Sequence, residues 1–185
     1  MPAGTLRAQS GATPTPGMTE GPFYPEAFTA EPATNLVRGT LKGNAQIMRL
    51  EGRVADRAGR AIEGARVEIW QCDALGRYTH SRDGAPAERD ANFAGFGWMR
   101  TDASGTYAFA TIRPVMYTGR TPHIHVAVKV RGHAGLVTQM FIAGEARNDS
   151  DFLYRSLTAQ QRGALTARIS GEPGARSARF DIVLA

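Results

Sequence analysis

Two tyrosines and two histidines in this sequence have the types and spacing to hold a metal ion: Tyr78, Tyr117, His123 and His125. The histidines sit in Thr121-Pro122-His123-Ile124-His125-Val126-Ala127-Val128, with Tyr117 just upstream. Tyr78 belongs to a separate segment, Gly76-Arg77-Tyr78-Thr79-His80. Side chains alternate faces along a strand, so both imidazoles point the same way from one strand. Same-face imidazoles are a ready pair of metal ligands. Two phenolate oxygens added to two imidazole nitrogens make a hard, anionic donor set that suits a trivalent cation, above all Fe(III). Zinc is usually held by His, Cys and carboxylate instead. A free tyrosine has a pKa of about 10, and a bound cation forces it to ionise. Two tyrosinates with one hydroxide would balance three positive charges and stabilise the ferric state.

These residues need a scaffold that holds them in place, and the pattern around them is β. Leu50-Glu51-Gly52-Arg53-Val54 alternates, Asp56-Arg57-Ala58-Gly59 turns, and Ala65 to Gln71 alternates apolar and polar. Asp73-Ala74-Leu75-Gly76 and Asp102-Ala103-Ser104-Gly105 are further turns, the second leading into Thr106 to Ala110. Strands are expected over His123 to Val130, over Gly135 to Ile142, and over Arg179 to Leu184 as the last. Short strands between Gly- and Asp-bearing turns indicate a single β-sandwich, mainly β with long loops. Ser81 to Gly97 interrupts the rhythm as a long, charged, glycine-bearing loop of the kind that often carries function. Thr158-Ala159-Gln160-Gln161 has the form of a capping box, so one short helical region is expected near the C-terminus.

The chain's 185 residues suffice for one domain with a real core. Residues 1–18, rich in Ala, Gly, Thr and Pro, read as a flexible arm before a domain over 19–185. Thr19-Glu20-Gly21-Pro22-Phe23-Tyr24-Pro25 carries an aromatic pair between two prolines, which favours a stiff, packed segment. A hydrophobic content of 42% with 21% charged residues is that of a globular protein, and no apolar run approaches the ~20 residues of a membrane span. The net charge of +5 comes from arginines scattered singly, without the basic stripe of a nucleic-acid binder. Such a diffuse positive field suits small anionic substrates. Cys72 is the only cysteine, so no internal disulfide forms. The arm lacks the continuous apolar stretch of a signal peptide, so a cytoplasmic location is expected unless an export signal has been removed.

Read singly, each motif is ordinary; their order is not. Gly64-Ala65-Arg66-Val67-Glu68-Ile69-Trp70-Gln71-Cys72-Asp73 followed by Gly76-Arg77-Tyr78-Thr79-His80 resembles the intradiol ring-cleavage dioxygenases, the protocatechuate 3,4-dioxygenase branch above all. The likeness continues through Arg100-Thr101-Asp102, Gly105 to Phe109, Thr111-Ile112-Arg113-Pro114, Tyr117, Pro122 to His125, Thr138-Gln139-Met140-Phe141 and Phe180 to Leu184. Thr19 to Tyr24 is similar to the family's entry to the substrate pocket.

That resemblance implies one Fe(III) per chain, held by Tyr78, Tyr117, His123 and His125. It implies cleavage of a protocatechuate-like catechol by O2, between the hydroxyl-bearing carbons, to a cis,cis-muconate. Tyr117 would be the departing axial tyrosinate and Tyr78 the retained one, with His125 axial and His123 equatorial. Arg120 would lie beside the substrate ring and stabilise its developing charge, and Gln139 would support the site from behind. Thr19, Gly21, Pro22, Phe23 and Tyr24 would line the pocket mouth, with Tyr24 a donor to a ring substituent.

The sequence also departs from the family. Tyr117-Thr118-Gly119-Arg120 is shorter than in larger members and has no tryptophan, which leaves catechol, hydroxyquinol or a substituted catechol open as substrate. The long N-terminal helical linker of the catechol and hydroxyquinol enzymes is missing, which leaves any homo-oligomer open.

Two readings of other classes compete. Non-catalytic transthyretin-like modules share the Gly-Ala-Arg-Val strand but need no such donor set. A two-histidine Fe(II) site would need a carboxylate beside His123 and His125. His80 and His133 read as ordinary histidines, Cys72 as a packing residue, Trp70 and Tyr107 as core aromatics, and Asp73, Asp83 and Asp102 as turn residues. No hydrolase triad motif is apparent.

Overall fold

Alternation builds two layers. The computed structural model describes residues 11–84, 88–117, 119–132 and 135–185. In the first sheet, β1 (Ile47–Asp56) turns Met48, Leu50 and Val54 inward. In the second, β2 (Arg66–Trp70) turns Val67 and Ile69 inward. β3 (Phe96–Arg100), β4 (Thr106–Ile112), β5 (His123–Lys129) and β6 (Leu136–Ile142) follow in chain order. Two short helices come next, α1 (Phe152–Ser156) and α2 (Ala159–Leu165). β7 (Thr166–Ala167), β8 (Ile169–Ser170), β9 (Arg176–Arg179) and β10 (Ile182–Leu184) complete the fold.

β1 organises the first sheet, antiparallel to β4 on one edge and parallel to β9 and β10 on the other. The second sheet runs β3-β2-β5-β6-β7. Leu50, Tyr107 and Phe109 from the first sheet pack with Ile69, Ile124, Val126 and Met140 from the second to form the core between them. This is the expected β-sandwich. No helix of the described residues is long and apolar enough to cross a membrane.

The outer face of the second sheet positions the site. A sandwich usually leaves that face to water and polar side chains. Here β5 is buried on both faces up to Lys129. Arg66, Glu68 and Trp70 of β2 pair with Lys129, Ala127 and His125 of β5, and Gln139 and Phe141 of β6 pair with His125 and His123. Residues 19–29 cross this face as a strap. Tyr24 donates its hydroxyl to Glu68 Oε2 at 2.7 Å, and Trp98 Nε1 donates to the carbonyl of Thr29 at 3.0 Å.

Four departures from the sequence reading have local causes. The loop expected over Ser81–Gly97 ends early, because β3 begins at Phe96. Its first inward position is Gly97, where a β-carbon would meet Ala33 O at 2.4 Å, which leaves Met99 as the strand's one apolar inward side chain and obscures the alternation. The expected final strand over Arg179–Leu184 is two, β9 and β10. Between them Asp181 Oδ1 takes the Arg53 N–H at 2.9 Å and Tyr107 donates its hydroxyl to the Phe180 carbonyl. The helical region contains α1 as well as α2, and five residues are too few to show a period.

The fourth departure concerns the expected arm. From Ala12 its residues are tied down: Ala12 N–H donates to Arg57 O, Thr15 N–H to Val183 O and Met18 N–H to Val137 O. Residues 1–10 of that arm, residues 85–87 of the expected loop, Thr118 and His133 lie outside the described residues.

Candidate metal centre

β5 presents His123 and His125 side by side on the strap-covered face, 2% and 1% exposed, with their Nε2 atoms 3.1 Å apart. Trp70, opposite His125 in the register, stacks on its ring at 4.9 Å and 10°.

Tyr78 arrives from the loop after β2. Asp73 shapes that loop by accepting the N–H groups of Leu75 and Arg77, and it reaches the long loop through the N–H of Asp90. Asp83 then accepts the N–H of Tyr78 itself. Tyr117 arrives on a tight turn before β5, in which Arg120 N–H donates to Tyr117 O at 2.8 Å. Gly119 adopts φ 78° there, a left-handed conformation that glycine takes without steric cost.

The four donors converge. The ring of Tyr78 lies 4.9 Å from that of Tyr117 and 6.3 Å from that of His125, and Tyr117 lies 5.6 Å from His123. Phe23 of the strap closes over the tyrosines, stacked on Tyr78 at 4.7 Å and edge-on to Tyr117 at 5.8 Å. A groove of about 480 Å³ opens beside Tyr78, lined by Phe23, Trp70, His80 and Phe96 among others.

Burial dominates the electrostatics. It pushes the Tyr78 phenol well above its ordinary pKa, and raises Tyr117 against the opposing pull of the Arg120 guanidinium. Burial, with Arg120 adding to it, lowers His123 to about 4. Burial and the His123 ring hold His125 well below its ordinary value. The imidazoles are therefore neutral. His123 Nδ1 donates to Thr121 O at 2.6 Å, which leaves Nε2 with a bare lone pair.

The buried Tyr78 hydroxyl, His125 Nδ1 and Trp70 Nε1 make no hydrogen bond of good geometry, and the polar group that meets the Tyr78 hydroxyl is that of Tyr117. A buried polar atom without a well-made hydrogen bond is costly, and such a phenol beside bare imidazole nitrogen is what a cation would satisfy. The donor set thus fits a metal ion. No three His, Cys, Asp or Glu side chains among the described residues form a metal-binding group, which leaves the two-histidine, one-carboxylate alternative without its carboxylate.

The supporting residues land in various places. Arg120, 8% exposed, donates from Nε to Asp151 Oδ2 at 2.7 Å and from Nη2 to Gln139 Oε1 at 2.8 Å. Gln139 Nε2 reaches the Thr19 carbonyl at 2.9 Å, and a β-carbon on Gly21 would sit 3.1 Å from His125 Cε1. Pro22 accepts from Arg82 through its carbonyl. Thr19, Gly21, Pro22 and Phe23 therefore cover the centre.

Tyr24 faces elsewhere. Its hydroxyl is committed to Glu68 and to Lys129 Nζ, 2.7 Å from each, and so is not directed at a ring substituent. His80 accepts the Arg82 N–H, and Asp102 caps its turn. Cys72 is buried, with its thiol pushed to about 12 by burial. Sequence reasoning missed Trp70 as the platform under His125, Glu68 as the anchor of the strap, and Asp151. Register alone would have placed Trp70 beside His125 once β2 and β5 were paired.

The comparisons bear on this arrangement. The profile of a family described as "Dioxygenase" matches residues 19–185. The beta chain of protocatechuate 3,4-dioxygenase from Burkholderia cepacia is 37% identical over 72% of this chain. The chain belongs to the intradiol dioxygenase family. Another member, hydroxyquinol 1,2-dioxygenase from Corynebacterium glutamicum, is 31% identical over 89% of this chain. The chain spans 62% of the length of each of these two relatives. Among solved structures of the family, the dioxygenase domain of a dioxygenase carbohydrate-binding protein fusion from Streptomyces sp. SirexAA-E superposes with a TM-score of 0.75 at 32% identity. That comparison covers 93% of this chain and 98% of the other.

Proposed function

We propose that this chain is a non-haem, Fe(III)-dependent intradiol dioxygenase that opens a catechol between its hydroxyl-bearing carbons. Both atoms of O2 enter the product, a cis,cis-muconate. The observation that carries this reading is the buried convergence of two phenols and two neutral imidazoles, with the Tyr78 hydroxyl met only poorly by that of Tyr117. Tyr78, Tyr117, His123 and His125 would hold the iron, one per chain. Ferric iron bound there supplies chelation of the diol and withdrawal of electron density from its ring, which makes the ring reactive toward O2.

The chain's own residues do the rest. Both tyrosines prefer the protonated state in this burial, so the Tyr117 oxygen would accept a proton from the entering diol, while the more deeply buried Tyr78 would serve as a holding residue only. Arg120 places a fixed cation near both phenols to stabilise charge developing on the ring. Phe23 and Trp70 exclude water from two sides.

The substrate proposed first is protocatechuate-like, in line with the beta-chain relative. Catechol and hydroxyquinol are the alternatives, in line with the others. Purified protein loaded with iron should show one iron per chain and a visible tyrosinate-to-iron band. A panel of protocatechuate, catechol and hydroxyquinol should give muconate-type product spectra. Full zinc occupancy with a colourless iron-loaded protein, or extradiol products, would overturn the reading.

A further inference from the structure

Asp151 lies behind Arg120, outside the donor cluster, and is 1% exposed. Its Oδ2 accepts from Arg120 Nε at 2.7 Å and from the Thr121 N–H at 2.9 Å. Its Oδ1 accepts the N–H groups of Leu153 and Tyr154, at 3.0 and 2.9 Å, as the N-cap of α1. All four partners are donors. An ionised carboxylate, acceptor-only on both oxygens, meets them all, whereas an amide would turn an N–H group against two of them.

Contacts run from this carboxylate in two directions. Through Arg120 they pass to Gln139 and on to the Thr19 carbonyl of the strap. Through Thr121 they pass to His123, whose Nδ1 donates to the Thr121 carbonyl. One side chain thus fixes the plane of the guanidinium and the backbone that sets one imidazole's tautomer.

We propose that Asp151 is the positioning residue of this site: it holds Arg120 in the orientation that faces the diol, without itself touching substrate or metal. The proposal rests on the reading of Arg120 given above. A guanidinium held at Nε by one partner and at Nη2 by another has a single orientation. Without the carboxylate, a buried cation must find another partner or move toward water.

A double-mutant cycle on the iron-loaded full chain tests this, pairing Asp151→Ser with Arg120→Ala. Serine is a good N-cap, so α1 keeps its start, but it offers no carboxylate to Arg120. Asp151→Ser should keep iron and the visible band while kcat for catechol falls roughly a hundredfold, the scale of a misplaced catalytic group. In the Arg120→Ala background the same change should cost no more than about twofold. Equal losses in both backgrounds, or parental turnover in Asp151→Ser, would overturn the proposal. Should the serine variant not fold, Asp151→Asn enters the same cycle with the same criteria.

A second readout needs no activity. In the metal-free protein the Arg120 Nε proton should exchange slowly in the parent and fast in the variant. Fast exchange in the parent would overturn the proposal. A parent that opens no diol would sink the functional reading instead, and proton exchange would still decide whether Asp151 holds the guanidinium.

Discussion

Tyr78 carries a buried hydroxyl that makes no hydrogen bond of good geometry, met only by the Tyr117 hydroxyl, and such a group costs the fold up to roughly 1–3 kcal/mol. Tyr78→Phe removes that cost, so the metal-free variant should be as stable as the parent or more so, by about 1 kcal/mol in urea unfolding. The same variant should bind iron more weakly and lose part of the visible band. A metal-free Tyr78→Phe protein clearly less stable than the parent would mean that the contact with the Tyr117 hydroxyl is a well-made hydrogen bond. Arg120 supports a second prediction. Arg120→Ala should keep iron and colour while turnover falls about a hundredfold, the usual loss of one preorganised electrostatic contact. Arg120→Lys should recover only a fraction, because an ammonium cannot meet Asp151 and Gln139 together as the planar fork does. Parental turnover in Arg120→Ala at saturating catechol and O2 would remove Arg120 from the reaction.

Elements explain what the sequence could and could not reveal. Period-two alternation alone makes His123 and His125 same-face residues, and the Thr158 capping box is present with both of its hydrogen bonds. Burial of the outer sheet face was not legible, because it depends on a strap whose anchor, Glu68, lies 44 residues from Tyr24. No spacing rule finds such a pair, so the sequence alone directs Tyr24 toward the substrate. Asp151 escaped notice because its helix has five residues. The Tyr117–Arg120 turn depends on the positive φ of Gly119, and it yields a prediction. Beyond its chain neighbours, no atom of the described residues lies within 4 Å of the β-carbon an alanine would add, so Gly119→Ala should lose stability through backbone strain, about 1–2 kcal/mol. Gly119→Asn should lose less, since asparagine tolerates that conformation. Because Tyr117 and Arg120 flank the turn, kcat should fall in the same order, alanine below asparagine. Equal denaturation midpoints for parent and alanine variant would contradict the positive φ.

For the whole molecule, the buried imidazoles link stability to pH. The folded-state pKa of His123, about 4, lies below the ordinary 6.5, and that of His125 is lowered as well. The unfolded chain therefore binds protons that the folded one refuses, so stability is full above about pH 6.5 and declines as pH falls toward 4. Urea midpoints of the metal-free protein should follow that decline, and His123→Gln should flatten part of it. A midpoint constant from pH 7 to 4 would refute the linkage. The first sheet carries one more consequence, and it concerns time. β1 leaves the ribosome early, yet the strands that pair in parallel along one of its edges, β9 and β10, are made more than a hundred residues later. Until then a nascent chain carries an open strand edge, the template on which β proteins aggregate. Closure of that sheet is a late, long-range event, so refolding should be slow for a chain of this size, and a chaperone that shields β1 should raise the yield.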